Sequence, residues 1–264
     1  MYTAKNHTFV ICAYKENPYL ENTVKTLLNQ TVKSKIILST STPNVHISGV
    51  CEKYNIPIVV NPNPHLAGDD WNYGYNQANT ELVTIVHQDD LYAKEFLEQS
   101  LNALNNAKNP LFCFTDYCEL KQGKKVENNL LLNIKRLMNT PLRFNSINGK
   151  KWIRKRLLGL GCAICCPAVT YVKERLGDSI FDTTYKNSCD YKTWVDLAER
   201  DGSFVYVPKK LLLHRIYAES ATTLNLSENI RKAEDQEILS TLWPKPIASM
   251  INNVYALSEK SNKI

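Results

Sequence analysis

The first apolar run, Thr8-Phe-Val-Ile-Cys-Ala13, is short and ends in a polar loop, Tyr14-Lys-Glu-Asn-Pro18. Val24, Leu27, Leu28 and Val32 then recur at helical spacing, so the chain is expected to open as strand, loop and helix. Lys35-Ile-Ile-Leu-Ser39 predicts a second strand closing in Thr40-Ser41-Thr42-Pro43. Ile56-Pro-Ile-Val-Val60 predicts a third, before the breaker run Asn61-Pro-Asn-Pro64. A helix is expected from near Asp70 to Ala78. Glu81-Leu-Val-Thr-Ile-Val86 is the strongest buried-strand signal in the chain, and it delivers His87-Gln-Asp-Asp90 at its carboxyl end. Leu97, Leu101 and Leu104 mark another helix, and Leu111-Phe-Cys-Phe-Thr115 another strand. Alternation of this kind predicts an α/β fold built on parallel strands. Ligands of open α/β sheets bind beyond the carboxyl ends of the strands, which directs Tyr14, Thr40 and Asp89-Asp90 to one crevice.

Residues 121 to 160 are less regular and rich in Asn, Lys and Arg. Pro167 suits the first position of a helix carrying Val169, Val172 and Leu176, with Gly177 as its stop. Tyr191, Trp194, Val195 and Ala198 predict an amphipathic helix directly after Asp190. Phe204-Val-Tyr-Val207 and Leu211-Leu-Leu213 predict two late strands, and residues 227 to 264 a helical end interrupted at Pro244 and Pro246.

A length of 264 residues suits one α/β domain with a C-terminal appendage. No apolar run approaches the roughly eighteen residues needed to cross a bilayer. Met1 to His7 lacks the basic start and apolar middle of a signal peptide, so a cytoplasmic address is expected. In that setting the eight cysteines read as reduced thiols acting as small hydrophobes. Cys162, Cys165 and Cys166 lack the second ligand pair of a structural zinc site. The net charge of +6 could attract phosphates, anionic lipid or nucleic acid, and selects none of them.

Two adjacent carboxylates at the end of a buried strand repel one another and resist ionisation unless a cation sits beside them. Asp89 and Asp90 therefore point to Mg²⁺ or Mn²⁺, which prefer carboxylate and water oxygens and bridge such a site to substrate phosphates. The competing reading makes either acid a cap for a helix beginning near Ala93.

Together with these acids, the ordered fragments resemble family 2 of the glycosyltransferases, the inverting group with a GT-A fold. They are Ala13-Tyr14 with Asn17, then Trp71-Asn72-Tyr73-Gly74 with Ala78 and Glu81, then His87-Gln88-Asp89-Asp90, then Asp190-Tyr-Lys-Thr-Trp194. The set closes with Leu213-His-Arg-Ile-Tyr-Ala-Glu-Ser220-Ala-Thr222, and the likeness spans about residues 8 to 223.

The resemblance implies a mixed sheet flanked by helices, in a GT-A domain over residues 1–226 with a helical extension over 227–264. Its nucleotide-binding half would cover about 1–120 and its acceptor half about 121–226. It makes Asp89 and Asp90 the acidic motif that holds the metal on the donor diphosphate, and Asp190 the general base; the competing reading makes Asp190, which stands just before a helix, its cap. Ala13, Tyr14, Glu16 and Thr40 would line the nucleotide, Asn72 and Gly74 would complete the donor pocket, and Arg215 would meet the diphosphate. The implied partners are a nucleotide-sugar donor, with UDP as the nucleotide, and a glycan or lipid-linked saccharide acceptor. Bacterial surface-polysaccharide assembly is the implied setting.

The departures from the pattern are Ser39-Thr40-Ser41 where an acid commonly binds the base, Trp71 for a basic residue, His87 for an acid, and Tyr217 for a histidine. His87 or His214 could serve as ligands in compensation. The run Lys150-Lys-Trp-Ile-Arg-Lys-Arg156 reads as a solvated helix face, as an arm over the diphosphate, or as a peripheral contact with an anionic membrane at the inner face of the cell.

Two other classes compete. A sugar-phosphate nucleotidyltransferase wants a glycine-rich basic loop after the first strand, which Ala13-Tyr-Lys-Glu-Asn-Pro18 is not. A non-catalytic nucleotide- or glycan-binding module would have no use for intact Asp89, Asp90 and Asp190. No nucleic-acid partner is expected, since no basic motif with interleaved aromatics is present.

Overall fold

The computed structural model describes residues 1–217 and 230–259. Its strands are β1 (His7–Ala13), β2 (Lys35–Thr40), β3 (Ile58–Val60), β4 (Leu82–His87), β5 (Leu91–Tyr92), β6 (Pro110–Lys121), β7 (Lys124–Val126), β8 (Val169–Val172) and β9 (Ser203–Ile216). Between them run α1 (Leu20–Leu28), α2 (Val45–Tyr54), α3 (Ala67–Gln77), α4 (Phe96–Asn105), α5 (Leu130–Asn139), α6 (Lys151–Leu158), α7 (Lys173–Leu176) and α8 (Cys189–Leu197). After them come α9 (Ile230–Leu242) and α10 (Lys245–Glu259).

Among the described residues the strands form one sheet in the order β3-β2-β1-β4-β8-β6-β9-β5, with β7 paired to β6. β3, β2, β1 and β4 run parallel, whereas β8 lies antiparallel between β4 and β6. β6 and β9 pair in parallel and run in the direction of β4, so the strands expected to be parallel share one direction, and the sheet is mixed because β8 is inserted antiparallel among them.

Alternation along the strands sends apolar side chains to both faces. Phe9, Ile11 and Ala13 of β1 pack with α1, α2 and α4, while Val10 belongs to a second core with Tyr75 of α3 and Trp194 of α8. Ile238, Leu239 and Ala248 enter that second core, so α9 and α10 share the interior of the domain. The expected boundary at 226/227 lies outside the described residues. The halving expected near 120 falls inside β6, which continues through Lys121.

Two elements differ from the sequence expectation. Val169–Val172 is a strand, preceded by a single 3-10 turn at Cys166–Ala168 that holds Pro167. Its β-branched and aromatic residues Val169, Thr170, Tyr171 and Val172 favour a pleated, buried setting over a helix. Gly177, with φ of 80°, does end a helix, but only the single turn α7. The two late strands are one, β9, whose register against β6 slips between Thr115↔Val207 and Asp116↔Lys210. Pro208 lacks a backbone N–H and marks the irregularity. All eight cysteines are free thiols. No helix among the described residues is long and apolar enough to cross a membrane.

Candidate active site

Parallel pairing sets the site. Cys12 lies opposite His87, and Ala13 lies opposite Thr40, so the loops after β1, β2 and β4 leave the same edge of the sheet. The Gln88 amide ties the first and third of these loops together. Its Nε2 donates to Tyr14 O at 2.9 Å, and Tyr14 N donates to its Oε1 at 3.2 Å. The Tyr14 ring is 54 % exposed, enough to offer a face to a ligand. Glu16 is exposed beside it, and Lys15 takes a positive φ of 56° to turn the loop.

Asp89 and Asp90 are fastened to the end of β9. Arg215 N donates to Asp90 Oδ1 at 2.9 Å, and His214 Nδ1 lies 3.1 Å from the same oxygen. Asp90 is fully enclosed. Asp89 is half-buried; its Oδ2 accepts from the Tyr217 hydroxyl at 2.9 Å, and that hydroxyl in turn accepts from Asn17 Nδ2 at 2.9 Å. The Arg215 guanidinium donates from Nε to Asp89 O at 2.9 Å and lies over the Tyr19 ring at 3.9 Å. Neither acid caps α4, whose N-cap is Glu95.

Burial, then the neighbouring Asp90 charge, pushes the Asp89 carboxyl above its ordinary range. Burial pulls the His214 imidazole down, but the charge and hydrogen bond of Asp90 and the charge of Asp89 outweigh it and leave it raised. His87 goes the other way: burial dominates and lowers it, and its ring stacks on Trp71 at 5.1 Å. Its Nε2 is buried without a hydrogen-bond partner among the described residues.

Among the described residues no group of three or more His, Cys, Asp and Glu could hold a metal on protein ligands alone. The acids do fit a hard divalent cation that takes its remaining oxygens from a substrate. Asp89 Oδ1 has no hydrogen-bond partner among the described residues, and its carboxylate is destabilised by burial and then by the Asp90 charge, which a cation would relieve. Asp89 is the better placed of the two, since Asp90 Oδ1 already receives bonds from β9.

Asp190 stands in the first turn of α8. It is not the cap: Ser188 takes that position, and Glu234 of α9 accepts the N–H groups of Lys186, Asn187 and Ser188 at 2.8, 2.9 and 2.9 Å. The Asp190 carboxylate accepts from Tyr191 N at 2.7 Å. Burial raises its pKa, and the charges of Arg231 and Lys135 work against that rise. Burial holds the Cys165 thiol well above its ordinary range, and the charges of Asp90, Lys135 and Asp190 act on it in smaller measure. The half-buried Lys135 of α5 has its Nζ 3.3 Å from the Tyr117 hydroxyl. Tyr117 meets the His214 ring edge-on at 6.3 Å.

Three residues expected at the donor have their groups committed inside the fold. Thr40 is buried, and its Oγ1 accepts from Thr42 N at 3.0 Å. The Asn72 amide holds the segment before α8, accepting from Ile180 N and Phe181 N and donating to Phe181 O. Gly74 lets α3 approach the sheet; a Cβ there would lie 2.9 Å from Val10 Cγ1 and 3.0 Å from Ser39 Cβ.

The basic run is also largely committed. Arg154 is fully buried and donates to the carbonyls of Gly202, Ala198 and Arg200, while Lys151 and Lys155 pair with Asp201 and Glu199. Arg156 lies over Trp243, which leaves Lys150 and Trp152 facing outward. A hollow of about 360 Å³ beside Arg215 is lined by Tyr19, Leu120, Gln122, Gly123, Ile216 and Tyr217. A larger one, about 440 Å³, lies by Lys5, Lys35 and Lys173, and Asp89, Asp90 and Asp190 line neither hollow.

Residues 5–234 match the sequence profile described as Glycosyltransferase like family 2. The chain belongs to glycosyltransferase family 2. It is a glycosyltransferase on that ground, and its fold is of the GT-A type. No curated protein sequence matches it.

Among solved structures, the chain is similar to residues 1–349 of S. aureus TarS, with TM-score 0.62 and 14% identity over 97% of this chain and 72% of that one. The mannosyltransferase PcManGT of Pyrobaculum calidifontis, in complex with GDP-Man and Mn²⁺, gives TM-score 0.62 and 14% identity over 100% and 77%. Glucosyl-3-phosphoglycerate synthase of Mycobacterium tuberculosis, with Mn²⁺, UDP-Glc and phosphoglyceric acid, gives 0.62 and 13% over 90% and 80%. At these identities the likeness is one of fold.

Proposed function

We propose that this glycosyltransferase moves a sugar from a nucleoside-diphosphate donor, with UDP as the nucleotide, to a hydroxyl of a glycan or lipid-linked saccharide, with inversion at the anomeric carbon. One observation carries the reading: Asp89 and Asp90 are fixed at the end of β9, and Asp89, pushed up by burial and by the Asp90 charge, keeps one carboxylate oxygen without a hydrogen-bond partner among the described residues. The donors and Mn²⁺ in the complexes of its structural neighbours support it.

In this reading Asp89 holds Mn²⁺ or Mg²⁺ on the donor diphosphate, with Asp90 behind it fixing the end of β9. The ion supplies charge to the leaving diphosphate when bound. Arg215 adds a second positive charge beside Asp89, and Tyr14 offers an exposed ring to the base. Asp190 accepts the acceptor hydroxyl's proton as that oxygen attacks, and its burial makes it a stronger base than a solvated aspartate. A single in-line displacement inverts the anomeric centre. Contact with an anionic membrane face belongs to the same reading; it rests on the net charge of +6 and on outward-facing Lys150 and Trp152.

Calorimetry with UDP tests the donor half. Affinity should be at least about tenfold higher in Mn²⁺ than in chelator, and Asp89→Asn should remove the difference. Equal affinity in both conditions would end the assignment of Asp89. Asp89 is chosen over Asp90 because Asp90→Asn would also disturb the bonds that hold β9.

A further inference from the structure

α5 carries apolar side chains on both of its sides. Leu131, Leu132 and Met138 turn inward, whereas Leu130, Ile134 and Leu137 are 77, 42 and 74 % exposed. At about 100° per residue these three fall within an outward arc of about 60°, the arc that a surface helix fills with charged and polar groups. The 3-10 turn Thr140–Arg143 follows α5 directly and delivers a fourth exposed apolar residue, Phe144, at 51 %. Single exposed leucines are ordinary, but an apolar strip along one helix face is not.

The charge around the strip is of one sign. Residues 128–172 contain eight Lys and Arg and no Asp or Glu, which exceeds the whole chain's net charge of +6. Four of these cations are held on acids from elsewhere or inside the fold: Arg136 on Asp116, Lys151 on Asp201, Lys155 on Glu199, and Arg154 on three carbonyls. Arg143, next to Phe144, and Lys150 are exposed. Ile147 N donates to Phe144 O and Lys150 N to Ile147 O, both at 2.9 Å, so successive turns tie Lys150 to the end of the strip.

These features choose the occupant. A second copy docked symmetrically would set the acid-free segment against itself. A peptide would want a groove, and α5 lines neither the hollow at Arg215 nor the one at Lys173. A lipid surface asks only for a helix with an apolar strip and a basic rim, lying in its plane. We propose that α5 lies in the plane of an anionic membrane, with Leu130, Ile134, Leu137 and Phe144 in the headgroup boundary and Arg143 and Lys150 on the lipid charge. This gives the membrane contact of the proposed function its apolar anchor. The inner side of α5 is fixed to β6, by Asn129 to Glu119 at 3.0 Å and Arg136 to Asp116 at 2.7 Å, and Glu119 pairs with His214 of β9. A docked α5 therefore holds the strand end that fixes Asp90 against that surface.

The test floats the full chain with vesicles of phosphatidylglycerol and phosphatidylcholine, and with phosphatidylcholine alone. The parent should bind the anionic vesicles. Leu130→Ser with Leu137→Ser should weaken that binding about tenfold or more at low and high salt alike, because salt does not screen an apolar contact. Arg143→Ser should weaken it about fivefold, and less at high salt. All three positions are exposed, so urea midpoints should stay close to the parent's. A parent that ignores anionic vesicles, or a double serine variant that binds like the parent, overturns the proposal. A parent that is dimeric by sedimentation equilibrium without lipid, and monomeric once both leucines are serine, also overturns it, because the strip would then belong to a second copy. UDP affinity in Mn²⁺, measured on the same variants, should stay within about twofold. A chain that binds vesicles through α5 but ignores UDP would sink the donor reading and leave the docking standing, and the converse would overturn the docking alone.

Discussion

At the scale of single residues, Asp190 offers the sharpest test. Asparagine keeps its shape and can still accept from Tyr191 N, but it cannot take a proton. Asp190→Asn should therefore lower transfer by roughly a hundredfold or more while UDP binding in Mn²⁺ survives. Near-parental transfer, or a product with retained configuration, would remove Asp190 from the role of base. The raised pKa adds a pH signature. A carboxyl raised in the folded state binds its proton more tightly there than in the unfolded chain, so stability falls as pH climbs from the ordinary aspartate range toward the folded value. Asp190→Asn should thus raise the urea midpoint at neutral pH and leave it little changed below the ordinary range. Transfer by the parent enzyme should fail as pH drops through that same raised value.

The acids were legible because two carboxylates at a strand end are chemically improbable without a purpose. Asn17 and Tyr217 are ordinary types scattered along the chain, and only the fold brings them to Asp89.

Secondary elements place different demands on their residues. Gly74 sits in a helix, where alanine would normally be preferred, yet its Cβ would press on β1 and β2 at 2.9 and 3.0 Å. Overpacking outweighs propensity, so Gly74→Ala should cost about 1 to 3 kcal/mol by urea unfolding, and a stabilised variant would contradict the close approach. Arg154 was expected at a surface and is instead an internal clamp. Its guanidinium satisfies three carbonyls at the end of α8 and lies over Phe204 at 4.7 Å. Arg154→Met should cost at least about 2 kcal/mol, because those acceptors lose their donor in the interior. The β1, β2 and β4 strands were readable from apolar runs bounded by breakers. β8 was not, since a four-residue strand and one helical turn carry the same apolar pattern, and its pairing partners β4 and β6 lie far away in sequence.

On the scale of the whole molecule, the C-terminal helices act as part of the core. Ile238, Leu239 and Ala248 are buried with Trp194, Tyr255 donates to Cys162 O, and Glu234 gathers the backbone before Asp190. A chain cut before residue 230 should lose cooperative unfolding by circular dichroism; a truncated form with parental transfer activity would contradict this packing. Membrane contact is tested on the same scale by co-sedimentation with anionic vesicles. Lys150→Ser with Trp152→Ser should reduce a salt-sensitive binding, whereas Arg154 contributes nothing because it is enclosed. Binding that is absent, or unchanged in the double variant, would remove the membrane from the reading.

The sequence by itself determined the first half of the sheet, the strand-end acids and the family, because each depends on residues close together or on an ordered string of motifs. Only the tertiary structure decided which internal bonds Thr40 and Asn72 make and how closely Gly74 meets the sheet, and that Asp90 is enclosed while Asp89 keeps an open oxygen. It alone brought Asn17, Asp89 and Tyr217 together from three separate stretches. The reason is physical: a side chain's type fixes what bonds it can form, but which partners it meets is set by the packing of elements from distant parts of the chain.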